Sequence, residues 1–349
     1  MKEYDLVVVG AGPAGCTAAG LVAAQGFNVV VLEKKDKPGY SPCAGYVSAM
    51  DYPVYLDKKV VEQQIESMSI HRPSGKTQSH PIRGFNVDRR GFDQALAGYA
   101  GEMGARMLFD SELSSVSGGD VILSDGRIIQ GKVVLGADGV FSKTAACMGQ
   151  RNDYVSSIQY HMSGCVVSTD VNEIFFDIDY APGCYVWVFP SGEDKARVGL
   201  ALRMHLAQSS PKDYLDSFIK QHQDFFPSAR IDYISGGAIP VGGLHARLVY
   251  GNILLVGDAA GLADPITGGG ISYGLLSARL AARVICEALE GNKVSSHLKR
   301  YDKLMNRVLG PRFMKASFKR KILDSIINNM DLESNLELIW PTYKRYWSE

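Results

Sequence analysis

An apolar run, Leu6 to Val9, breaks into Gly10-Ala11-Gly12-Pro13-Ala14-Gly15 and passes directly into an Ala-rich segment with helical character. Strand, glycine turn and helix in immediate succession is the opening of a dinucleotide site. Gly10 permits the tight turn, Gly12 lets the backbone approach a pyrophosphate, and Gly15 lets the helix pack close to the strand. Phosphates can then meet unpaired N–H groups at a helix N-terminus. Glu33 ends a second apolar strand, Asn28 to Leu32, where a carboxylate can accept from a ribose hydroxyl. A GxGxxG run by itself is weak, because Gly-rich turns are common, but here strand, helix, second strand and acid stand together within about 30 residues.

The chain has 349 residues, enough for about two domains, and 37 Lys plus Arg against 37 Asp plus Glu. Without a global charge, any electrostatic partner must be held by a local patch, and nucleic acid is excluded as an expectation. The six cysteines, Cys16, Cys43, Cys147, Cys165, Cys184 and Cys286, show no CxxC spacing, which argues against zinc and against a disulfide framework. Reduced thiols in a cytoplasmic compartment are expected. Glu3 and Asp5 interrupt the N-terminus, and no stretch approaches the roughly 20 apolar residues of a spanning helix.

The fold class expected is α/β: a discontinuous Rossmann-type dinucleotide-binding domain, an inserted antiparallel β-sheet substrate domain, and a helical C-terminus. The first comprises residues 1–60, 81–150 and 245–292, the second 61–80 and 151–244, and the third 293–349. A hairpin is expected from Ile65 to Ser79, turning at Pro73-Ser74-Gly75, followed by a helix from Gly91 to Met103. Strands are expected at Gly164 to Thr169, Glu173 to Ile178, Cys184 to Phe189 and Ala196 to Leu202. Helix runs from Gly270 to about Asn329, with a loose aromatic tail to Trp347.

Three later motifs narrow the cofactor. Arg89 precedes a helix, where a guanidinium can pair with a phosphate or carbonyl, and Asp93 can cap that helix. Asp138-Gly139 and Gly257-Asp258 each end a buried strand, where open α/β sheets bind ligands. Each Asp can equally be a helix cap. The run Asp264-Pro265-Ile266-Thr267 then leads into Gly268, Gly269 and Gly270, ahead of a helix from Ile271.

This order resembles the FAD family built like para-hydroxybenzoate hydroxylase. The resemblance implies FAD, with adenosine near Glu33 and Lys34, pyrophosphate near Gly12, Pro13, Ala14 and Arg89, and the ribityl chain or pyrophosphate near Asp138, Gly139, Gly257 and Asp258. Pro265, Gly268, Gly269, Gly270 and Ile271 are expected at the pyrimidine edge of the flavin, where N–H groups and a positive helix end favour reduction. The segment PGCYVWVFP places Tyr185, Trp187 and Phe189 on one strand face. Periodicity alone reads it as an aromatic core face, yet PxxYxWxFP resembles the signature of the geranylgeranyl reductase family, where it lines an isoprenoid cavity. A second likeness is SPCAG, which puts Cys43, Ala44 and Gly45 where the archaeal prenyl reductases carry a cysteine facing the flavin. Ala44 stands where many relatives have Gly, and the C-terminus is shorter than in better-known members.

The resemblance implies saturation of C=C bonds in isoprenoid lipid precursors. An isolated alkene has no carbonyl to take up charge, so hydride transfer needs an acid beside it. Cys43 is the first candidate, with Tyr185 second and otherwise a wall. Tyr185, Trp187 and Phe189 are the expected substrate contacts. No second GxGxxG appears, so the external electron donor, NADPH, ferredoxin or another, is left open. From Lys299 to Lys321 nine cations face one acid, Asp302, among apolar residues. That pattern suits an anionic membrane surface and equally a packed helix with a solvated basic face. A flavin monooxygenase or halogenase, and an FAD-binding electron carrier, are the competing functions.

Overall fold

In the computed structural model, which describes residues 3–39, 42–291 and 294–348, the strand Tyr4–Val9 lies between Val29–Leu32 and Ile128–Gly136 and is parallel to both. Its near-continuous apolar sequence follows from burial on two faces. Leu6 and Val8 pack under the helices Pro13–Ala23, Arg89–Glu102 and Ile271–Glu290, whereas Val7 and Val9 pack under the hairpin Leu113–Ser117 and Asp120–Leu123. Ile253–Leu255 and Arg106–Leu108 extend this sheet in parallel on its two sides, so it is built from stretches far apart in the chain.

The second sheet runs in the order Arg230–Pro240, Tyr154–Ser163, Lys195–Leu202, Val186–Pro190, Val171–Phe175, Val61–His71, Thr77–Val87 and Tyr46–Ser48. It is antiparallel except where Val171–Phe175 meets Val61–His71 in parallel, the seam at which two separate excursions of the chain join. The hairpin is longer than its turn signals suggested. Residues 46–48 and 81–87, expected in the nucleotide domain, are paired into this second sheet. Gly164 to Thr169 is not a strand. The chain turns out at Gly164, whose φ is 74° and whose position leaves no room for a Cβ against Ser228 O, so Cys165 N and Val166 N donate to Asp194 O and Phe225 O and not to a continuous strand ladder.

The two faces of this sheet are covered differently. Val186, Val188, Val198 and Leu200 pack under the helix Pro211–Gln221 through Leu215 and Phe218. Trp187 and Phe189 face the other way, under the end of the helix Val294–Asp324 and under Asn329–Ile339. The tail expected to be loose is therefore helical, and Asn328 caps its start by accepting from Asp331 N at 2.9 Å. No helix among the described residues is long and apolar enough to cross a membrane. Ser41 of the SPCAG run lies outside the described residues.

Candidate functional site

The glycine turn divides by steric role. A Cβ at Gly10 would stand 2.4 Å from Ala137 O, and one at Gly15 would stand 2.0 Å from Gly10 O, so both close approaches belong to the fold itself. A Cβ at Gly12 meets nothing within 4 Å. The protein thus leaves open the one glycine position where a pyrophosphate would come near. Pro13 takes the first helical position, and the first-turn N–H groups beyond it have no intrahelical acceptor. Glu33 accepts from Ala11 N at 2.9 Å and from Lys35 N at 3.1 Å, which fixes its carboxylate beside the turn with lone pairs to spare. Lys34 is exposed next to it.

Arg89 reaches the site already paired. Its guanidinium donates to both carboxylate oxygens of Asp93 at 3.0 to 3.2 Å, with side-chain exposures of 11% and 2%. Asp93 is therefore not the cap expected of it. Asp88 caps the helix, accepting from Arg90 N and Gly91 N, because it alone stands at the non-helical position before the first turn. Arg89 also lies near the Cys43 thiol and close enough to Asp258 to favour its charge.

The two strand-end acids have separate fates. Asp138 accepts from Ser142 Oγ, Thr144 N and Thr144 Oγ1, so its carboxylate is spent on the start of the short helix Lys143–Cys147, whose N-cap is Ser142 through its bond from Ala145 N. Gly139 beside it turns at φ 80° with open space around its Cα. Asp258 has no hydrogen-bond partner for its carboxylate among the described residues. Burial raises its pKa, against the pull of Arg89, and Gly270 approaches it so closely that a Cβ there would stand 3.1 Å from Oδ1. A half-buried carboxylate of this kind leaves its lone pairs open to donors from outside the chain, and the hydroxyls of a ribityl chain or ribose would supply them. Asn152 ties both acid loops together, donating to Val140 O and Asp258 O at 2.8 Å each.

The glycine run before Ile271 is organised by Asp264, a residue that sequence reasoning did not single out. Its Oδ1 accepts from Ile266 N and Thr267 N, and its carbonyl accepts from Gly268 N. Gly269 N donates to Thr267 Oγ1. Two of the three glycine N–H groups expected to face a flavin are thus held inside the loop past Pro265, which leaves Gly270 and the helix start at Ile271. The Asp-Pro pair was the available signal for such a turn.

The second sheet meets this loop through Tyr185, whose hydroxyl donates to Thr267 O. Burial pushes that phenol well above its ordinary pKa, with Cys184, Asp264 and Cys43 adding to the effect. Cys43 is half-buried, and its sulfur accepts from Gly45 N at 3.4 Å. Ala44 O accepts from Arg197 Nε at 2.9 Å, and Arg197 in turn pairs with Glu62 at 2.6 Å. Trp187 and Phe189 are 6% and 7% exposed and pack with Trp340, Leu336 and Ile339. They are covered by the C-terminal helices, whereas Tyr185, the third expected substrate contact, is only half-buried. The basic segment needs a correction. Lys319 and Arg320 are buried, and Arg320 donates to Gly183 O at 2.6 Å and pairs with Asp324, so neither can face lipid.

Residues 153–239 match the family model of the geranylgeranyl reductase catalytic domain, and residues 8–43 that of an NAD(P)-binding Rossmann-like domain. A digeranylgeranylglycerophospholipid reductase of Methanocella arvoryzae is 32% identical over 94% of this chain and 89% of its own length. The structure of a geranylgeranyl bacteriochlorophyll reductase-like protein from Thermoplasma acidophilum superposes with a TM-score of 0.89 at 28% identity, covering 97% of this chain and 92% of that one. A flavin-dependent brominase shares the fold at a TM-score of 0.76 and 18% identity, over 97% and 91% of the two chains.

Proposed function

The chain belongs to the geranylgeranyl reductase family, and from that premise we propose that it saturates the carbon–carbon double bonds of geranylgeranyl chains on a membrane-lipid precursor, with FAD as its cofactor. The observation that carries this reading is the position of the Cys43 thiol, against Arg89 of the nucleotide side and within electrostatic reach of Tyr185 of the second sheet. The open Cβ space at Gly12 and the unpartnered carboxylate of Asp258 fit the group: Gly12 and the helix start would hold its pyrophosphate, and Glu33 and Asp258 its hydroxyls. When bound there, reduced FAD would supply the hydride that adds to one alkene carbon. Cys43 supplies the proton to the other, and the charge left on its sulfur faces the Gly45 N–H and the Arg89 guanidinium. Tyr185 is engaged as a donor to Thr267 O, so its role here is to hold the second sheet against the glycine loop.

Anaerobic incubation of the dithionite-reduced holoenzyme with geranylgeranyl lipids, read by mass spectrometry, tests the reading and bypasses the electron donor. Gains of two hydrogens per double bond are expected without dioxygen. Stoichiometric dioxygen consumption with substrate would favour an oxygenase, and no turnover under either condition a carrier. Cys43→Ser keeps FAD but is expected to slow saturation by about 100-fold to 10,000-fold, the range for a lost general acid.

Peripheral contact with an anionic membrane belongs to the same reading. On the helix Val294–Asp324 the exposed residues Lys303, Arg307, Met314, Phe318 and Lys321 are spaced so that they share one outward face, with Met314 72% and Phe318 60% exposed. Cations flanking exposed apolar side chains suit a lipid surface.

A further inference from the structure

The indole of Trp187 does not end in the aromatic cluster. Its Nε1–H donates to Gln159 Oε1 at 3.0 Å, and Gln159 Nε2 donates onward to the main-chain carbonyl of Cys43 at 3.3 Å. Gln159 is 2% exposed and sits on the strand Tyr154–Ser163, separated by Lys195–Leu202 from the interior strand Val186–Pro190 that carries the indole. Its amide orientation follows from its partners. An indole N–H only donates and a carbonyl only accepts, so exchanging O and N would set donor against donor and acceptor against acceptor. The second amide hydrogen is taken by His161 Nε2 at 3.0 Å. That ring must be neutral to accept, and burial together with the adjacent Arg197 pushes its pKa down to about 4. Every polar atom of Gln159 is thereby satisfied, as a buried amide requires.

We infer that Gln159 is a positioning residue which, held by Trp187 and His161, fixes the main chain of Cys43 and so aims its thiol. The inference rests on the reading of Cys43 as the proton donor. It assigns the tryptophan of the PxxYxWxFP segment a role in placing the acid, in addition to packing. Arg197 holds the next carbonyl, Ala44 O, from the adjoining strand Lys195–Leu202, so the loop is pinned at two successive peptide groups. Pinning matters because a reacting group displaced by about 1 Å can lose about 100-fold in rate.

Gln159→Met keeps length and volume but removes both amide functions, and Trp187→Phe removes the N–H while keeping a ring. FAD content and melting temperature identify variants that fold. In these, single-turnover saturation by the dithionite-reduced holoenzyme is expected to slow by about 10-fold to 100-fold with KM within about twofold of wild type. The double variant is expected to be no slower than Gln159→Met alone, since both act through one link. Site-resolved alkylation by iodoacetamide gives a readout independent of turnover: the rate at Cys43 is expected to change by about threefold or more, while exposed Cys147 stays constant. Folded variants with wild-type turnover and wild-type Cys43 alkylation would overturn the inference. Full activity in Cys43→Ser would instead remove the acid reading, and the alkylation rates would still decide whether Gln159 holds the loop.

Discussion

The hydroxyl of Tyr185 donates to the main-chain carbonyl of Thr267, joining the second sheet to the loop that precedes the helix at Ile271. A phenol already engaged as a donor, and raised in pKa by burial, is poorly placed to protonate an alkene. Tyr185→Phe is therefore expected to slow saturation by no more than about tenfold and to lower stability by about 1 kcal/mol, the usual worth of one hydrogen bond. Single-turnover rates and thermal melts check this. A loss of about 100-fold or more at normal FAD content would make Tyr185 the proton donor in place of Cys43.

Gly12 and Gly15 separate cofactor binding from folding. Gly12→Ala adds a methyl where the chain itself has nothing within 4 Å, so the variant should fold with unchanged apoprotein stability and retain FAD weakly. Gly15→Ala drives a methyl toward Gly10 O, and its expected effect is on folding. Apoprotein melts and FAD titration distinguish the two. Equal FAD affinity in Gly12→Ala and wild type would mean that the pyrophosphate does not approach there.

The parts of the site that were legible in the sequence are those set by local geometry. Gly10, Gly15 and Glu33 act within one strand-turn-helix unit, and the alternation of Tyr185, Trp187 and Phe189 fixes their common face whatever covers it. Gln159 was not legible, because its partner Cys43 is 116 positions away and nothing beside a lone Gln on a strand marks it. Arg197 and Glu62 meet across 135 positions for the same reason. In the basic helix, composition shows cations but not which of them turn inward. Arg320 is drawn in by Gly183 O, and Arg203 binds Asp324 from the sheet, contacts that no helical periodicity contains.

Membrane contact through the outward face of the helix Val294–Asp324 is tested by co-sedimentation with vesicles containing anionic lipid. Neutralising Lys303, Arg307 and Lys321 is expected to weaken binding by about 3 kcal/mol, at about 1 kcal/mol per cation near the surface, and raising salt should do the same to the wild type. Met314→Ser with Phe318→Ser should weaken binding in a salt-independent way. Binding that ignores both sets of changes would leave this face simply solvated. Lys319 and Arg320 are unsuitable for the test, since both are buried and their loss would disturb packing.

The C-terminal helices are held over Trp187 and Phe189 by charge as well as by packing, which makes their attachment sensitive to acid. Arg203 bridges Asp153 at 2.6 Å and Asp324 at 2.8 Å, and Arg320 pairs with Asp324 from one turn before. Burial alone would raise the Asp324 carboxyl, but hydrogen bonds from Arg203 and Arg320 outweigh it and hold the pKa below the ordinary value of 3.8. A carboxyl depressed on folding contributes stability that is present above its unfolded pKa and is lost as pH falls through the folded one. Hydrogen-exchange protection of Asn329–Ile339 is accordingly expected to hold down to about pH 4 and to fall below it. Asp324→Asn should lower protection already at neutral pH, because it leaves two buried guanidinium groups short of a partner, an effect of about 3 to 5 kcal/mol when one member of a buried pair is removed. It should also flatten the acid dependence. Retained acid sensitivity in that variant would move the titrating group elsewhere in the clamp.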